Sequence, residues 1–172
     1  MKLYTKNGEI KPRNRIIIIK DGMQTLNPSE EMLFADGWVE YVIPEPTEEE
    51  KLMDAKQLAK ENIKSYDSSN AVNGFYMNGI EMWLDKATRA GLMLRFEAEM
   101  ATGMTETSLW YEGVMYTLSL ESAFQMLYAL ELYASQCYDN TQRHLANING
   151  LETIEEVEAY DYMSGYPQKL NF

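Results

Sequence analysis

The stretch LWYEGVMYTLSLESAFQML, Leu109 to Leu127, carries the strongest fold signals in the chain. Two short aromatic segments flank Glu112-Gly113, and such a pair between strand-like segments predicts a β-hairpin. Ser119 follows the second segment, and a serine ahead of apolar residues at helical spacing predicts a helix N-cap. This helix is predicted to run to about Ile148, where Asn149-Gly150 ends it. The sequence therefore predicts a hairpin that leads directly into the longest helix of the protein.

The same order of signals occurs upstream, in FYMNGIEMWL, residues 75–84. Asn78-Gly79 predicts a second tight hairpin turn. Asp85 is placed to cap a helix over residues 86–101, and Gly103 ends it. Five apolar residues of this helix share one face: Ala87, Ala90, Leu94, Ala98 and Ala101. Residues 75–148 thus follow the order hairpin, helix, hairpin, helix, which is compatible with a weak internal duplication, although no residue-level repeat supports one.

Near the N-terminus, RNRIIIIKDG places four isoleucines, Ile16 to Ile19, in a row. They predict a strand that ends at the turn signal Asp21-Gly22. Because a strand alternates its side chains between two faces, both faces of this strand are apolar. Two explanations stay open. Either an inter-module or inter-subunit contact covers the second face, or the strand is central in a self-sufficient small sheet.

A short helix and a second strand complete the N-terminal segment. Asn27 is predicted as the N-cap, with a helix from about Pro28 to Ala35 and Gly37 at its end. WVEYVI, residues 38–43, is the second strand. Residues 1–46 are therefore predicted to form a small β-rich docking module. A module of this size lacks a large core, so we expect it to pack on the rest of the chain, on a second copy or on a partner.

A connecting helix is predicted after the stiff linker at residues 44–46. Thr47 and Glu50 form a capping box, and the helix runs to about Lys64. Its apolar stripe is thin, which favours a solvated connecting helix; a weak coiled-coil stalk is the alternative. A loop at residues 66–74 marks the next boundary. We therefore expect an α+β protein with a docking module (1–46), a connecting helix (47–64) and a helix-dominated domain (65–172) with two hairpins and one long helix.

The two-sided isoleucine strand and the thin helix stripe indicate where another protein would bind. The residues predicted to form this interface are Ile16, Ile17, Ile18, Ile19, Trp38, Tyr41, Leu52 and Ile63.

Composition and motifs weigh against several kinds of chemistry. The net charge of −12 disfavours nucleic-acid binding, and no apolar run approaches the roughly 20 residues that a membrane helix needs. Cys137 and His144 lie about two helical turns apart, too far for a catalytic pair. We therefore expect no catalytic site, cofactor or metal. A carboxylate-based enzyme acting on glycans remains the least favoured alternative.

From residue 75 onward, several aromatic and helical segments follow one another and end in a closing SGYP. In order, they are WLD, DKATRAGL, LWYEGVMYTLSLESAFQML, ALELYASQCYDNTQRHLANINGL and TIEEVEAYD. This order resembles a phage and prophage domain of unknown function carried by tail-fibre and tail-fibre-associated proteins. That domain ends with an acidic residue followed by Gly-Trp-Pro or Gly-Tyr-Pro. In this chain, Asp161 matches the acidic residue, and residues 165–167 are Gly-Tyr-Pro. NPSEEMLFADGWVEY, residues 27–41, resembles the small module that precedes the domain in phages of gut bacteria.

The resemblance implies a phage origin and a role in the virion, made in the bacterial host cytoplasm. It implies a structural protein of the tail or tail fibre, acting as an adaptor or assembly component. The expected partners are other phage structural proteins, and a homo-oligomer is expected. A tail-fibre assembly chaperone that is absent from the virion is the alternative. The family has no established active site, so no functional residue is carried over.

Overall fold

A computed structural model describes residues 2–172 and shows an α+β protein, as predicted. The chain divides into two compact units, one ending at Thr47 and the other spanning Glu48–Phe172. The division falls at the end of the proline-containing linker.

The N-terminal unit consists of two hairpins, a short helix and a last strand. Strands β1 (Leu3–Lys6) and β2 (Glu9–Pro12) form the first hairpin, and a 3-10 turn (Arg13–Arg15) leads to β3 (Ile17–Lys20) and β4 (Met23–Leu26). Helix α1 (Glu30–Ala35) and strand β5 (Val39–Tyr41) follow. Strand β5 pairs antiparallel with β1, so the larger sheet has the order β2-β1-β5 and the β3–β4 hairpin stands apart.

Helix α1 begins later than predicted. Its N-cap is Ser29, whose Oγ accepts a hydrogen bond from the Met32 N–H, and not Asn27. Asn27 has a left-handed backbone with a φ of 52°, which is incompatible with the extended conformation of an N-cap residue. The prediction at the other end is confirmed. The Gly37 N–H donates to the Phe34 carbonyl and the Trp38 N–H to the Leu33 carbonyl, as in a Schellman motif.

The C-terminal unit contains the remaining elements, with both predicted hairpins and the long helix in place. They are α2 (Glu48–Asp67), β6 (Phe75–Met77), β7 (Ile80–Met82), α3 (Lys86–Ala101), β8 (Glu106–Tyr111), β9 (Val114–Ser119), α4 (Leu120–Gly150) and α5 (Ile154–Glu158). Asp85 and Ser119 cap α3 and α4, as predicted.

Helix α2 is part of this unit and not a separate connecting helix. It packs against α4 and α5, where Ala59 and Ile63 join Ile148 and Val157 in a buried cluster. The helix continues to Asp67, so no boundary falls at residue 65. The thin apolar stripe of α2 thus forms the contact, since Leu52 and Ala55 also pack against this cluster.

The buried face of α3 is not the one marked by its alanines. Arg89 and Phe96 are buried, and Leu92 and Met93 are partly buried against the main core, whereas Leu94 is exposed. Burial of Arg89 is possible because its guanidinium donates to the Leu84 carbonyl and pairs with Glu131 of α4.

The C-terminal tail is held on the unit by backbone hydrogen bonds. The Tyr76 N–H donates to the Leu170 carbonyl and the Phe172 N–H donates to the Tyr76 carbonyl, both at 2.8 Å. The tail therefore lies beside β6 as a short parallel addition.

Candidate functional site: an apolar face of the N-terminal unit

The β3–β4 hairpin separates its isoleucines between two faces. Its turn, Asp21-Gly22, has positive φ at both residues, as a two-residue hairpin turn of this type requires. Ile18 points inward with Ile16, and both are buried in a cluster completed by Tyr4, Leu33 and Trp38. Only this one face of the isoleucine strand is covered by the N-terminal unit itself.

The opposite face is open and mainly apolar, with Gln24 as its one polar residue. The strand register pairs Ile17 with Leu26 and Ile19 with Gln24 on this side. Ile17, Ile19 and Leu26 are 53%, 66% and 70% exposed. We refer to these three residues as the outer hairpin face. Leu26 was missed by the sequence analysis, although the two-residue turn fixes the register that places it beside Ile17.

Most of the other predicted interface residues are not available to a partner in this structure. Ile16, Ile18 and Trp38 are buried in the core of the N-terminal unit, because strand alternation and the helix end direct them inward. Ile63 is fully buried in the C-terminal unit. The remaining two are half-buried: Tyr41 lies in β5, and Leu52 packs against the cluster of α2, α4 and α5.

The exposed apolar residues of the N-terminal unit outnumber its core. Five hydrophobic residues form the buried cluster. Beyond the outer hairpin face, further large apolar side chains are exposed: Ile10, Met23, Met32, Phe34, Val39, Val42 and Ile43. A small domain that leaves this much apolar surface in water is typical of one that binds another protein.

Two ion pairs join β1 to the helix α1 region within this unit. Glu30 accepts hydrogen bonds from Lys2 (3.0 Å) and from the Tyr4 hydroxyl (2.9 Å). These bonds, with Lys2 contributing most, hold the pKa of Glu30 below its ordinary value. The Lys6 Nζ donates a hydrogen bond to Asp36 Oδ2 at 2.8 Å and lowers the pKa of Asp36 in the same way. Lys2 and Lys6 are thus paired with Glu30 and Asp36, while the outer hairpin face contains no charge.

The two units differ strongly in charge. Residues 1–47 contain six Lys or Arg and seven Asp or Glu, and residues 48–172 contain nine and twenty. The N-terminal unit is therefore nearly neutral, and the acidic charge of the chain lies in the C-terminal unit.

Cys137 and His144 make different contacts on α4, although Tyr166 packs against the cluster of Cys137 and stacks on the His144 ring. Cys137 is buried with Val72 and Tyr133, and burial raises the pKa of its thiol, which disfavours the reactive thiolate. His144 lies against the Tyr160 hydroxyl (2.7 Å) and the Ser164 carbonyl (3.0 Å). Both residues therefore have structural contacts.

The buried polar side of α4 was not anticipated. Asn140 donates to the Ser164 carbonyl, and Thr141 donates to Asp67 of α2 while contacting the Tyr166 hydroxyl. These bonds tie the SGYP segment and α2 to the long helix. The spacing of Asn140 and His144, one turn apart, was the available signal, but it does not reveal partners that lie far along the chain.

A shallow acidic surface lies where the ends of α2 and α5 meet. Glu48, Glu49, Glu152 and Glu155 line a cavity of about 390 Å³. All four residues are exposed, whereas a glycosidase acid is a carboxyl whose environment is buried enough to retain its proton. This surface does not provide the deep carboxylate pocket that a glycan-acting enzyme would use.

Within residues 2–172, no helix has the length and apolar character to cross a membrane, and no three His, Cys, Asp or Glu side chains converge as metal ligands. No protein family, curated protein or solved structure matches this chain.

Proposed function

We propose that this chain is a structural adaptor of a phage tail or tail fibre, and that its N-terminal unit docks onto another virion protein. The observation that carries the proposal is the outer hairpin face, where Ile17, Ile19 and Leu26 form an uncharged apolar surface. The resemblance of the hairpin and helix segments to phage domains supplies the phage context.

The docking role follows from the energetics of this face. Transfer of apolar area from water is worth roughly 25 cal/mol per Å². Interface cores are depleted in charge and contain well-packed apolar anchors. Ile17 and Ile19 are β-branched residues on a paired strand, so their side chains have few rotamers and little entropy to lose when a partner covers them.

Particle composition tests this function. The gene is replaced in the phage that encodes it by the variant Ile17→Ser/Ile19→Ser, and purified particles are analysed by mass spectrometry. The matched control is Met53→Ser/Leu58→Ser, which changes two similarly exposed apolar residues of α2. We expect the wild-type and control chains in the particle and the hairpin variant to be lost from it. Incorporation of the hairpin variant at the wild-type level would refute docking through this face.

A tail-fibre assembly chaperone is the second candidate, and the exposed methionines favour it. Seven methionines are among the exposed large hydrophobic residues: Met23, Met32, Met53, Met100, Met104, Met115 and Met163. Methionine is flexible and polarisable, so it suits surfaces that hold varied partners. A chain that is absent from purified particles, but whose deletion abolishes infectivity, would establish this alternative against the adaptor role.

A further inference from the structure

A groove runs along the contact between helices α3 and α4. It contains a larger cavity of about 450 Å³ and a smaller one of about 240 Å³, and Tyr128 lines both. The larger cavity lies where α3 ends and α4 begins. Its lining combines apolar side chains, Met100 and Phe124 among them, with the carboxylates of Glu97 and Glu121.

The aromatic part of this lining is an ordered pair of rings. Phe124 and Tyr128 are stacked, with ring centroids 6.1 Å apart and planes at 25° to one another. Phe124 packs against the main core, whereas Tyr128 is 55% exposed. The core therefore fixes the pair on one side, and the other side is open to a ligand. An aromatic ring face attracts a cation through the negative potential of its π electrons.

The two carboxylates of the larger cavity have no cation of their own. Glu97 and Glu121 are exposed, and neither side chain makes an ion pair or hydrogen bond with another residue in the range 2–172. Residues 96–142 contain seven Asp or Glu and no Lys or Arg. The preceding basic residue, Arg95, donates instead to the Thr107 hydroxyl at 3.0 Å. The chain thus places acid beside aromatic surface here and leaves it uncompensated.

The smaller cavity shows the same combination with its cation in place. Arg89 lines it together with Glu131 and Tyr128. The Arg89 guanidinium lies 3.0 Å from the Glu131 carboxylate and 5.4 Å from the centre of the Trp83 ring. One end of the groove therefore already holds a guanidinium between a carboxylate and an aromatic ring.

We infer that the larger cavity binds an arginine side chain from a basic segment of another protein. The guanidinium would lie against Tyr128, within reach of Glu97 and Glu121. Arginine fits better than lysine because its planar group stacks on an aromatic ring and pairs with carboxylates through several N–H donors. Met100 offers apolar surface to the residue beside the arginine.

Charge and size favour this occupant over a second copy of the chain. The C-terminal unit contains nine basic and twenty acidic residues, so it attracts a basic segment and repels another acidic unit. Ligand pockets span roughly 300–1,000 Å³. A cavity of about 450 Å³ therefore suits one or two side chains of an extended segment.

A nuclear magnetic resonance titration of the isotope-labelled full chain tests this inference. The probe is the peptide acetyl-Gly-Arg-Leu-Arg-Gly-amide, and its control has uncharged citrulline in place of both arginines. We expect saturable amide shifts around the larger cavity with millimolar arginine peptide only. Glu97→Gln/Glu121→Gln should weaken binding roughly tenfold. Glu155→Gln/Glu158→Gln removes the same charge from exposed positions of α5 and should change binding by less than about twofold.

A second variant separates the aromatic contribution from the charge. Tyr128→Leu keeps an apolar side chain but removes the ring, so we expect roughly threefold weaker binding. Three results would overturn the inference: no saturable shift at the cavity, equal weakening by both glutamine pairs, or equal binding of the citrulline peptide. Shifts at the cavity that depend on protein concentration without peptide would show that a second copy fills it, and would also overturn the inference.

This inference does not rest on the proposed function, because it concerns the other unit of the chain. The Ile17→Ser/Ile19→Ser variant should bind the arginine peptide as the wild type does. Loss of peptide binding in Glu97→Gln/Glu121→Gln should in turn leave the outer hairpin face intact. Failure of one idea is therefore distinguishable from failure of the other.

Discussion

The β3–β4 and β8–β9 hairpins have the same construction but opposite outer faces. Each has a two-residue turn and buries one face, through Ile16 and Ile18 in the first and Thr107 and Leu109 in the second. The outward pairs of β8–β9 are Glu106–Ser119, Ser108–Thr117 and Trp110–Met115. Two of these three pairs are polar, whereas the outward pairs of β3–β4 are Ile17–Leu26 and Ile19–Gln24, in which Gln24 is the one polar residue. A departure from strand alternation thus marks the hairpin whose second face is not explained by the fold of its own unit.

The largest expected effect concerns the inner side of β8–β9. Leu109 is buried in the main core, so Leu109→Ala should lower the free energy of unfolding by about 2–5 kcal/mol. The neighbouring Trp110→Ala, which truncates an exposed side chain, should change it by about 0.5 kcal/mol or less. Urea denaturation followed by circular dichroism measures both. Equal costs would mean that the two faces of this hairpin are not distinct.

The same contrast should be smaller in the N-terminal unit. Ile18→Ala leaves a cavity in a five-residue cluster that can partly collapse, so we expect about 2–3 kcal/mol. Ile19→Ala should cost about 0.5 kcal/mol or less in the unbound chain. Because the two units can unfold separately, amide hydrogen exchange of β3 is the appropriate measurement. If Ile19→Ala reduced the exchange protection of β3 as much as Ile18→Ala does, the assignment of an inner and an outer face would be wrong.

Local signals explain why much of this fold could be predicted. The turns Asp21-Gly22, Asn78-Gly79 and Glu112-Gly113 act through their own backbone conformations, and the caps Asp85 and Ser119 act within one helical turn. Asn7-Gly8 gave an equally clear signal for the β1–β2 hairpin, which was missed.

Long-range contacts explain what could not be predicted. The buried face of α3 includes Arg89, whose guanidinium bonds to the nearby Leu84 carbonyl and also to Glu131, which lies 42 residues away in the sequence. In the outer hairpin face, the alternation of side chains along β3 identifies Ile17 and Ile19. The register of β3 against β4 identifies Leu26. What covers that face is a property of another molecule, so neither the sequence nor the fold specifies it.

Helix caps after the two hairpins should have intermediate effects. Ser29 caps the helix after β3–β4 and Ser119 caps the helix after β8–β9, each accepting a backbone N–H. Ser29→Ala and Ser119→Ala should each cost about 1 kcal/mol in thermal or urea unfolding. Asn27→Gly is the control, since glycine suits the left-handed backbone there and should cost little. A larger loss for Asn27→Gly than for Ser29→Ala would restore Asn27 as the cap.

The smallest expected difference is in how acid and salt affect the two units. In the N-terminal unit, lysine side chains lower the pKa of Glu30 and of Asp36. In the C-terminal unit, backbone N–H groups do this instead. The Thr88 N–H lowers the pKa of Asp85, and the N–H groups of Glu152 and Thr153 lower the pKa of Glu156. A carboxyl whose pKa is lower in the folded state stabilises the fold above its unfolded pKa, and this stabilisation is lost as the pH falls through the folded pKa.

Both units should therefore lose stability as the pH falls below about 4. High salt should remove part of this pH dependence in the N-terminal unit only, because ion pairs between exposed side chains are screened. A hydrogen bond that a backbone N–H donates to a capping carboxylate depends less on ionic strength. Hydrogen exchange of β1 and α4 at neutral and acidic pH, each at low and high salt, separates the two units. Lys6→Met, which removes the partner of Asp36 but leaves the Lys2–Glu30 pair, should reduce the salt effect at β1 and leave α4 unchanged. An equal salt effect on both units would show that long-range charge, and not these local pairs, sets their acid stability.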